Sequence, residues 1–333
     1  MTCNKLTCVK FQVGFECNRR CTFCLVQGQD RAERLSLQTV ENALSDPVLR
    51  RQLERVVVTG GEPTIPQYLP ITSAIIRMAT DIGAKSTIYS NGDMLDDAVL
   101  RQLREAGLTE IRLSLYEPVD WSKMATTLDA MERYGFGRFL KVTVTRGTFP
   151  LLATLLQRLP ELKPDRFQIK PFNQTNIPEV DAVEEMMPDQ VLKMARMMLK
   201  YRRNASFRVD LLPLCYEFLV EDIPGEKICR CNCGKGGSGY LVINPNGDVL
   251  PCGAYGQSIG NVKKPDASLT KIWDGSSFLG EIRAIEQNPP KECEPCPHLS
   301  RCQVNDCHST TFNFYGDFTH GNPQCPILAR KRF

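Results

Sequence analysis

Short apolar runs rich in β-branched residues alternate with amphipathic helical periods over the first two thirds of the chain. This alternation is typical of βα units that build a parallel sheet. Six such units lie between Val9 and about Asn204, and they predict a partial (β/α)6 barrel of the TIM type. The predicted strands are residues 11–15, 55–59, 87–90, 111–115, 141–145 and 167–170.

Two of the intervening helices have recognisable ends. Asp96 is a predicted N-cap, and Gly107 ends the apolar period that follows it. Pro188 opens a later helix, because proline fits the first helical position. That helix contains three methionines, which we expect to pack in the core rather than to contact a cofactor. They are Met194, Met197 and Met198.

The pattern changes beyond Asn204, where the alternation fades. Two apolar runs between Gly239 and Cys252 flank Asn246-Gly247, so the stretch predicts a β-hairpin with a primed turn. The change divides the chain into three predicted parts. They are a barrel of residues 1–205, a bridging region of residues 206–228 and a small cysteine-rich domain of residues 229–333.

Composition and charge exclude several classes of partner. The 333 residues suffice for one large or two ordinary domains. Lysine and arginine total 41 against 38 acidic residues, a formal charge of +3, so nucleic acid is not expected as a partner. Apolar runs do not approach the roughly 20 residues of a membrane span, and the start has no signal-peptide pattern. We therefore expect a cytoplasmic protein. In that reducing compartment its fifteen cysteines favour metal ligation over disulfides.

Three of the cysteines occur together in the stretch CNRRCTFC, as Cys17, Cys21 and Cys24. A structural zinc site takes four ligands, commonly as two C-x2-C pairs, so this run is one ligand short and unevenly spaced. A cubane iron–sulfur cluster also takes four cysteines. Three thiolates suffice if the fourth iron is left for another ligand, as in a catalytic metal site that keeps one position open.

The C-x3-C-x2-C run, with Phe23 before its last cysteine, resembles the hallmark of the radical S-adenosylmethionine (SAM) superfamily. The resemblance implies that Cys17, Cys21 and Cys24 hold a [4Fe–4S] cluster. Its uncapped iron would chelate the amino and carboxylate groups of SAM. Reductive cleavage of the sulfonium would then give a 5′-deoxyadenosyl radical, which abstracts a hydrogen atom from a substrate C–H bond.

Residues at the ends of later strands match the SAM contacts of this superfamily. In parallel barrels the chemistry lies at the carboxyl ends of the strands. A Gly-Gly-Glu-Pro stretch follows the second predicted strand, where glycines allow the backbone to approach a ligand closely. The implied SAM-binding residues are Phe23, Gly60, Gly61, Glu62, Pro63, Ser90, Asn91, Ser114 and Arg146.

The C-terminal cysteines resemble the SPASM domain. From the residues alone, Cys293-x2-Cys296-x5-Cys302 fits half of a zinc ribbon. After a radical SAM barrel, the wider spacing matches SPASM, including a linking helix near residues 269–273. The resemblance implies two auxiliary [4Fe–4S] clusters, and therefore three clusters in all. The outer one would be held by Cys293, Cys296, Cys302 and Cys325, and the inner one by Cys233, Cys252 and Cys307.

Two departures from the SPASM pattern concern the inner cluster. The spacing Cys302-x4-Cys307 is one residue longer than usual. The residues from Gly234 to Asn246 contain no additional cysteine, so either Cys229 or Cys231 is the fourth ligand or one iron stays open. His308 is a minor alternative ligand, because histidine can replace cysteine on iron.

The net reaction depends on the fate of the substrate radical. Auxiliary clusters suit removal of an electron, which gives dehydrogenation or a cross-link. A thiol suits return of a hydrogen atom. Cys215 resembles the hydrogen-donor cysteine of radical epimerases, although an ordinary buried cysteine is the simpler interpretation.

Three functions are compatible with this sequence. The first is modification of a ribosomally made peptide, with flavodoxin or ferredoxin as electron donor. Only sixteen residues precede Cys17, so we expect a leader to be recognised directly or by a separate leader-binding protein. The second is a small-molecule dehydrogenase or epimerase acting on a sugar or aminocyclitol. The third is an iron–sulfur electron carrier without SAM chemistry, against which the Gly-Gly-Glu-Pro stretch argues.

Overall fold

Ten strands form a single sheet in the part of the chain that the structure describes. The structure is a computed structural model that describes residues 5–172, 180, 183–212, 216, 219–220, 239–285, 287–305 and 307–331. The order across the sheet is β10-β9-β8-β1-β2-β3-β4-β5-β6-β7. The strands are β1 (Cys8–Gln12), β2 (Arg55–Thr59), β3 (Lys85–Ser90), β4 (Glu110–Ser114), β5 (Phe139–Val144), β6 (Arg166–Pro171), β7 (Arg208–Leu211), β8 (Tyr240–Ile243), β9 (Asp248–Leu250) and β10 (Gly260–Asn261).

Helices connect successive strands from β1 to β7 and then make up most of the C-terminal part. Two short 3-10 helices, Phe149–Leu151 and Leu159–Leu162, flank the sixth α-helix. The described α-helices are α1 (Leu37–Leu44), α2 (Pro47–Gln52), α3 (Leu69–Asp81), α4 (Asp97–Glu105), α5 (Trp121–Arg133), α6 (Leu152–Arg158), α7 (Pro188–Asn204), α8 (Leu269–Gly275), α9 (Ser277–Ala284), α10 (Leu299–Asn305), α11 (His308–Tyr315) and α12 (Pro326–Lys331).

Strands β1 to β7 pair in parallel and in chain order, which confirms the predicted α/β class. Their side chains alternate between two faces, as the pleat of a strand requires. In β1, Val9 and Phe11 are fully buried in the hydrophobic core. The residues between them, Lys10 and Gln12, belong to the opposite, polar face. The parallel sheet therefore has an apolar face covered by helices and an inner face able to carry chemistry.

The sheet differs from the prediction at both ends of the barrel. The first strand ends at Gln12, not Phe15, because the chain leaves the ladder at Gly14, which bridges to Arg34. A seventh parallel strand, β7, pairs with β6 beyond the predicted barrel end at residue 205. Its four residues include Arg208 and Asp210, so the sequence has no continuous apolar run there.

The C-terminal hairpin extends the barrel sheet. Strand β8 pairs in parallel with β1, and β9 returns antiparallel to β8. The hairpin is confirmed, but the primed turn is wrong. Only Gly247 of the turn has a positive φ, of 89°, whereas a type I′ turn needs two such residues. Pro245 fixes a negative φ at the preceding corner, so the reversal takes four residues, with Gly247 N donating to Asn244 O at 2.9 Å.

The predicted helix ends agree with the structure. The Asp96 carboxylate accepts a hydrogen bond from the backbone N–H of Val99 at 2.8 Å, and α4 ends before Gly107, whose φ is 95°. Helix α7 begins at Pro188, and two of its three methionines are fully buried while Met197 packs at the edge of the core. The methionines are therefore packing residues.

Asp46 joins the barrel to the C-terminal part. Its side chain caps α2 by accepting from the backbone N–H of Val48 at 2.8 Å and of Leu49 at 3.2 Å. Its other oxygen accepts from the hydroxyls of Ser268 and Thr270, which begin α8. These hydrogen bonds outweigh the effect of burial and lower the pKa of Asp46 to about 2. One carboxylate thus fixes the ends of two helices that are far apart in sequence.

Replacing Asp46 by alanine is expected to lower the free energy of unfolding by about 0.5–2 kcal/mol, the usual effect of losing an N-cap. Urea denaturation of the anaerobically purified protein measures this loss. The matched control is Asp97→Ala, since the Asp97 side chain is exposed and forms an ion pair with the exposed Arg133. Because the pKa is lowered from 3.8, the contribution is complete above about pH 4 and is lost only as the pH falls towards 2. Equal stability of the two variants at pH 7 would contradict the role of Asp46.

Candidate active site

An open cavity of about 410 Å³ lies at the carboxyl ends of β2 to β5. Cavities of this volume are typical of sites for small molecules and cofactors. The cysteine-containing segment that follows β1 forms one wall, and the strand ends form the floor. The residues of interest in its lining are Cys17, Arg19, Cys21, Cys24, Gly60, Gly61, Glu62, Tyr89, Ser90, Asn91, Ser114, Tyr116 and Lys141.

The three cysteines share one side of the cavity and are half-buried. Burial, followed by the charges of the neighbouring Cys24 and Cys17, raises the pKa of the Cys21 thiol to about 11. Among the residues described, no three histidine, cysteine or carboxylate side chains converge as ligands of a single metal ion. Three soft sulfur donors around an open cavity fit an iron–sulfur cluster, whose ligands are spread over several irons.

Gly60 and Gly61 hold the cysteine segment against the end of β2. Gly60 has a φ of 124°, and a Cβ placed on Gly61 would lie 1.8 Å from the Glu16 carbonyl oxygen. The Gly61 N–H donates to the Gly14 carbonyl at 2.7 Å. The sequence predicted a close backbone approach to a ligand. In the structure the close approach is to the protein's own backbone, directly before Cys17.

Glu62 connects the ends of β2 and β3. Its side chain is 1% exposed and accepts hydrogen bonds from the Ser90 hydroxyl at 2.9 Å, the Asn91 N–H at 2.7 Å and the Thr64 hydroxyl at 2.6 Å. Burial raises the pKa of Glu62, although these donors favour the ionised form. Since both carboxylate oxygens accept from the protein, Glu62 mainly positions Ser90 and Asn91.

A polar network then connects the end of β3 to the cysteine segment. Asp93 accepts two hydrogen bonds from the Arg19 guanidinium, at 2.6 and 2.8 Å, and one from the Asn18 amide at 3.2 Å. The exposed Lys123 ammonium lies 2.6 Å from the same carboxylate. Arg19 and then Lys123 hold the pKa of Asp93 at about 2, against burial. Asp93 therefore anchors the residues between Cys17 and Cys21.

Aromatic side chains line the cavity beside this network. The rings of Phe23 and Tyr116 stack with centroids 6.1 Å apart, and the Arg19 guanidinium lies 4.7 Å from the Tyr116 centroid. Phe23 does not line the cavity in the structure, whereas Tyr116 does. Sequence reasoning missed Tyr116, although it stands two residues after Ser114, on the same side of the chain.

Lys141 is a second cavity residue that the sequence interpretation missed. It lies on β5 opposite Ser114 of β4, and its ammonium is 4.1 Å from the Tyr89 ring centroid. Burial, followed by the charges of Lys170 and Arg112, lowers the pKa of Lys141 to about 7. A signal was available, because a lysine between the apolar residues of a barrel strand must point to the inner face.

Besides Phe23, two predicted SAM-binding residues do not line the cavity. The Arg146 guanidinium donates to the Glu185 carbonyl at 2.7 Å, and its backbone N–H donates to the Glu184 carbonyl at 3.0 Å. Arg146 thus holds the segment before α7. Pro63 is buried, and its carbonyl accepts from the Thr72 hydroxyl at 2.9 Å. Both residues follow strands whose ends form the cavity floor: Pro63 comes after β2 and Arg146 after β5.

Two cysteines predicted for the inner auxiliary cluster are deeply buried. Cys252 is 6% exposed and Cys307 2%. The Cys252 sulfur accepts from the Ala254 N–H at 3.3 Å, and the Cys307 sulfur lies 3.1 Å from the Ser309 hydroxyl. Burial and hydrogen bonding of this kind tune the potential of iron–sulfur clusters. The other predicted residues of this region, Cys215, Cys229, Cys231 and Cys233, lie outside the described residues.

The outer set is partly assembled. Cys293 and Cys302 line a small cavity of about 30 Å³ together with His308 and His320. A Cβ on Gly321 would lie 2.7 Å from the Cys293 sulfur, so this glycine gives the thiol room. The remaining two cysteines of the set, Cys296 and Cys325, are half-buried, and each closes a local backbone turn.

Comparison with known protein families agrees with this geometry. Residues 11–143 match the Radical SAM superfamily. The chain therefore contains a radical SAM domain. Residues 231–297 match SPASM, an iron–sulfur cluster-binding domain, so the radical SAM domain is followed by a SPASM domain. The two matches indicate that the protein binds iron–sulfur clusters and SAM.

Two curated relatives extend over almost the whole chain. An AdoMet-dependent heme synthase of Oleidesulfovibrio alaskensis is 22% identical over 97% of this chain and 88% of its own length. The PqqA peptide cyclase of Granulibacter bethesdensis is 21% identical over 93% of this chain and 84% of its own length. The two relatives are named for different reactions.

Solved structures share the fold. Streptococcus suis SuiB bound to the precursor peptide SuiA superposes with a TM-score of 0.72 at 18% identity, over 97% of this chain and 76% of SuiB. The enzyme anSMEcpe with bound AdoMet gives 0.71 at 15% identity, over 97% of this chain and 91% of that one. At these identities the likeness establishes architecture. Of the helices described here, none has the length and hydrophobicity needed to traverse a lipid bilayer.

Proposed function

We propose that the protein modifies a ribosomally synthesised peptide by hydrogen-atom abstraction from a C–H bond, giving a cross-link, a dehydrogenation or an epimerisation. The observation that carries the proposal is the cavity in which three half-buried thiols face the polar ends of β3 and β4. A low-potential one-electron donor such as flavodoxin or ferredoxin would supply the electron, and a separate leader-binding protein is an expected partner.

The residues of this cavity have different proposed roles. Cys17, Cys21 and Cys24 would hold the cluster, which with SAM supplies the reducing electron and a carbon radical when bound. Asn91 and Ser114 line the cavity and would contact SAM. Lys141 replaces Arg146 in our assignment of the contact to the methionine carboxylate, because Lys141 lines the cavity and Arg146 does not.

The SPASM cysteines would hold two further [4Fe–4S] clusters, three in total. The proposed inner ligands Cys252 and Cys307 are both buried, the first just after the hairpin and the second at the start of α11. Ten of the fifteen cysteines belong to the three proposed ligand sets, before Cys229 or Cys231 is added. This assignment supports the removal of an electron from a substrate radical over a purely redox-neutral reaction.

A peptide substrate is favoured by the relatives. One relative is named as a peptide cyclase, and SuiB was solved with the precursor peptide SuiA bound. The second candidate is a small-molecule substrate, such as the sugar or aminocyclitol of a dehydrogenase or epimerase. It is favoured by the relative named as a heme synthase, whose product is a small molecule.

Turnover in deuterated water separates these outcomes. The anaerobically reconstituted protein is incubated with SAM, a reductant and a candidate precursor peptide, and products are analysed by mass spectrometry. We expect 5′-deoxyadenosine together with a peptide that has lost two hydrogens, or has gained one deuterium if the reaction is an epimerisation. In the second case Cys215→Ala should stop product formation but not SAM cleavage. A modified small molecule and an unchanged peptide would select the second candidate.

A further inference from the structure

Two N–H groups donate to the Cys17 sulfur. The backbone N–H of Arg19 lies 3.4 Å from it, and the Asn91 side-chain nitrogen lies 3.7 Å from it. Both distances are within the range of hydrogen bonds to sulfur, which is a larger acceptor than oxygen. The donors come from different parts of the chain, one inside the cysteine segment and one at the end of β3. The Cys17 sulfur therefore accepts hydrogen bonds from two separate parts of the chain.

The Asn91 amide is fixed in this orientation by its other contacts. Its oxygen accepts from the Asp93 N–H at 2.9 Å, and its nitrogen donates to the Asn18 side-chain oxygen at 2.7 Å. Its backbone N–H is bound to the buried Glu62 carboxylate at 2.7 Å. Asn91 is itself 4% exposed. With one amide hydrogen used by Asn18, the other is directed at Cys17.

The Arg19 donor is fixed through its side chain. The guanidinium makes two hydrogen bonds to Asp93 and packs over the Tyr116 ring. A bidentate arginine–carboxylate pair restricts both partners more than a single contact does. The backbone of the segment from Cys17 to Arg19 is thereby tied to the end of β3. Asp93 acts on Cys17 only indirectly, through Arg19 and Asn91.

We propose that Asn91, together with the Arg19–Asp93 ion pair, sets the reduction potential of the cluster bound at Cys17. This inference rests on the proposed function, because it requires a cluster at Cys17, Cys21 and Cys24. Reduction adds negative charge to a cluster, and N–H donors at a ligating sulfur stabilise that charge. Asn91 and Asp93 are thus positioning residues that make the cluster easier to reduce, in addition to any contact of Asn91 with SAM.

The potential can be measured without turnover. The holoprotein is titrated with reductant and followed by electron paramagnetic resonance, using the signal that changes on addition of SAM to identify the cluster. Asn91→Leu removes the donor at similar size. We expect the equilibrium constant for one-electron reduction to fall about threefold to tenfold, where tenfold corresponds to 59 mV. Iron content should stay at the wild-type level.

Lys123→Met is the matched control. Lys123 binds the same Asp93 carboxylate, but it is exposed and is not one of the donors to the Cys17 sulfur. The potential should therefore stay at the wild-type value. If Asn91→Leu fails to assemble the cluster, Asn91→Ser, which is too short to reach Cys17, takes its place. A wild-type potential in the Asn91 variant overturns the inference. Absence of any SAM-responsive signal in the wild type would instead overturn the proposed function.

Discussion

Replacing Cys21 by alanine is expected to abolish formation of 5′-deoxyadenosine. Cys21 lies between Cys17 and Cys24 on the cavity wall, and a cluster left with two thiolates loses the ligand set that leaves one iron free for SAM. Liquid chromatography of reactions under strictly anaerobic, reducing conditions measures the product. Iron analysis should show about four fewer iron atoms per chain, because one cubane is lost and the SPASM clusters remain.

Cys8→Ala is the matched control for this experiment. Cys8 is also a cysteine of the N-terminal region, but it lies in β1 opposite Arg55 and Tyr240, at the end of the strand away from the cavity. The variant should retain the wild-type iron content and the wild-type rate of SAM cleavage. Undiminished 5′-deoxyadenosine from the Cys21 variant would remove the proposed cluster site. If the wild-type protein with intact clusters forms no 5′-deoxyadenosine, the protein is better explained as an electron carrier.

Replacing Lys141 by methionine is expected to weaken SAM binding about tenfold to a hundredfold. A hydrogen bond between two charged groups contributes about 1.5–3 kcal/mol, and each 1.4 kcal/mol is tenfold in affinity. Methionine keeps most of the side-chain volume and removes the charge. The matched control is Arg146→Met, which should leave affinity unchanged, since Arg146 binds the Glu184–Glu185 backbone. Titration of the reconstituted protein with SAM, followed by the change in the cluster spectrum, measures both.

The pH dependence of SAM binding gives a second measurement of Lys141. Its pKa is lowered from 10.5 to about 7 in the ligand-free protein, so the amine is largely neutral above pH 7. A bound carboxylate requires the protonated form, and binding above pH 7 must therefore take up a proton. Affinity should fall by up to about tenfold per pH unit above 7 in the wild type. The Lys141→Met variant should lack this component, and an identical pH profile in both proteins would contradict the contact.

The sequence predicted the barrel because its strands repeat a simple pattern. Short apolar runs between amphipathic helices identify β2 to β6, and capping residues such as Asp96 mark helix ends. Strand β7 escaped this reasoning, because it is half charged and its pairing with β6 is a tertiary effect. Four residues, two of them charged, do not form an apolar pattern from which a buried strand can be recognised.

The sequence predicted the cysteine ligands of the candidate site better than it predicted the other residues that line the cavity. Cysteine spacing names the sulfur donors, because that chemistry depends on local sequence. Lys141 and Tyr116 were missed, since the residues that line a barrel interior come from several strands and acquire their role only when the strands close. Arg146 illustrates the converse, a charged residue at a strand end whose partner lies on the segment before α7.

The parallel pairing of β8 with β1 affects how this protein can be divided. Because the hairpin adds to the barrel sheet through backbone hydrogen bonds, the two cofactor-bearing regions share one continuous framework rather than a flexible joint. A catalytic core cut before residue 239 would leave β1 with an open edge, the kind of surface that promotes aggregation. A chimaera carrying a foreign C-terminal domain would therefore have to supply a replacement strand in the same register.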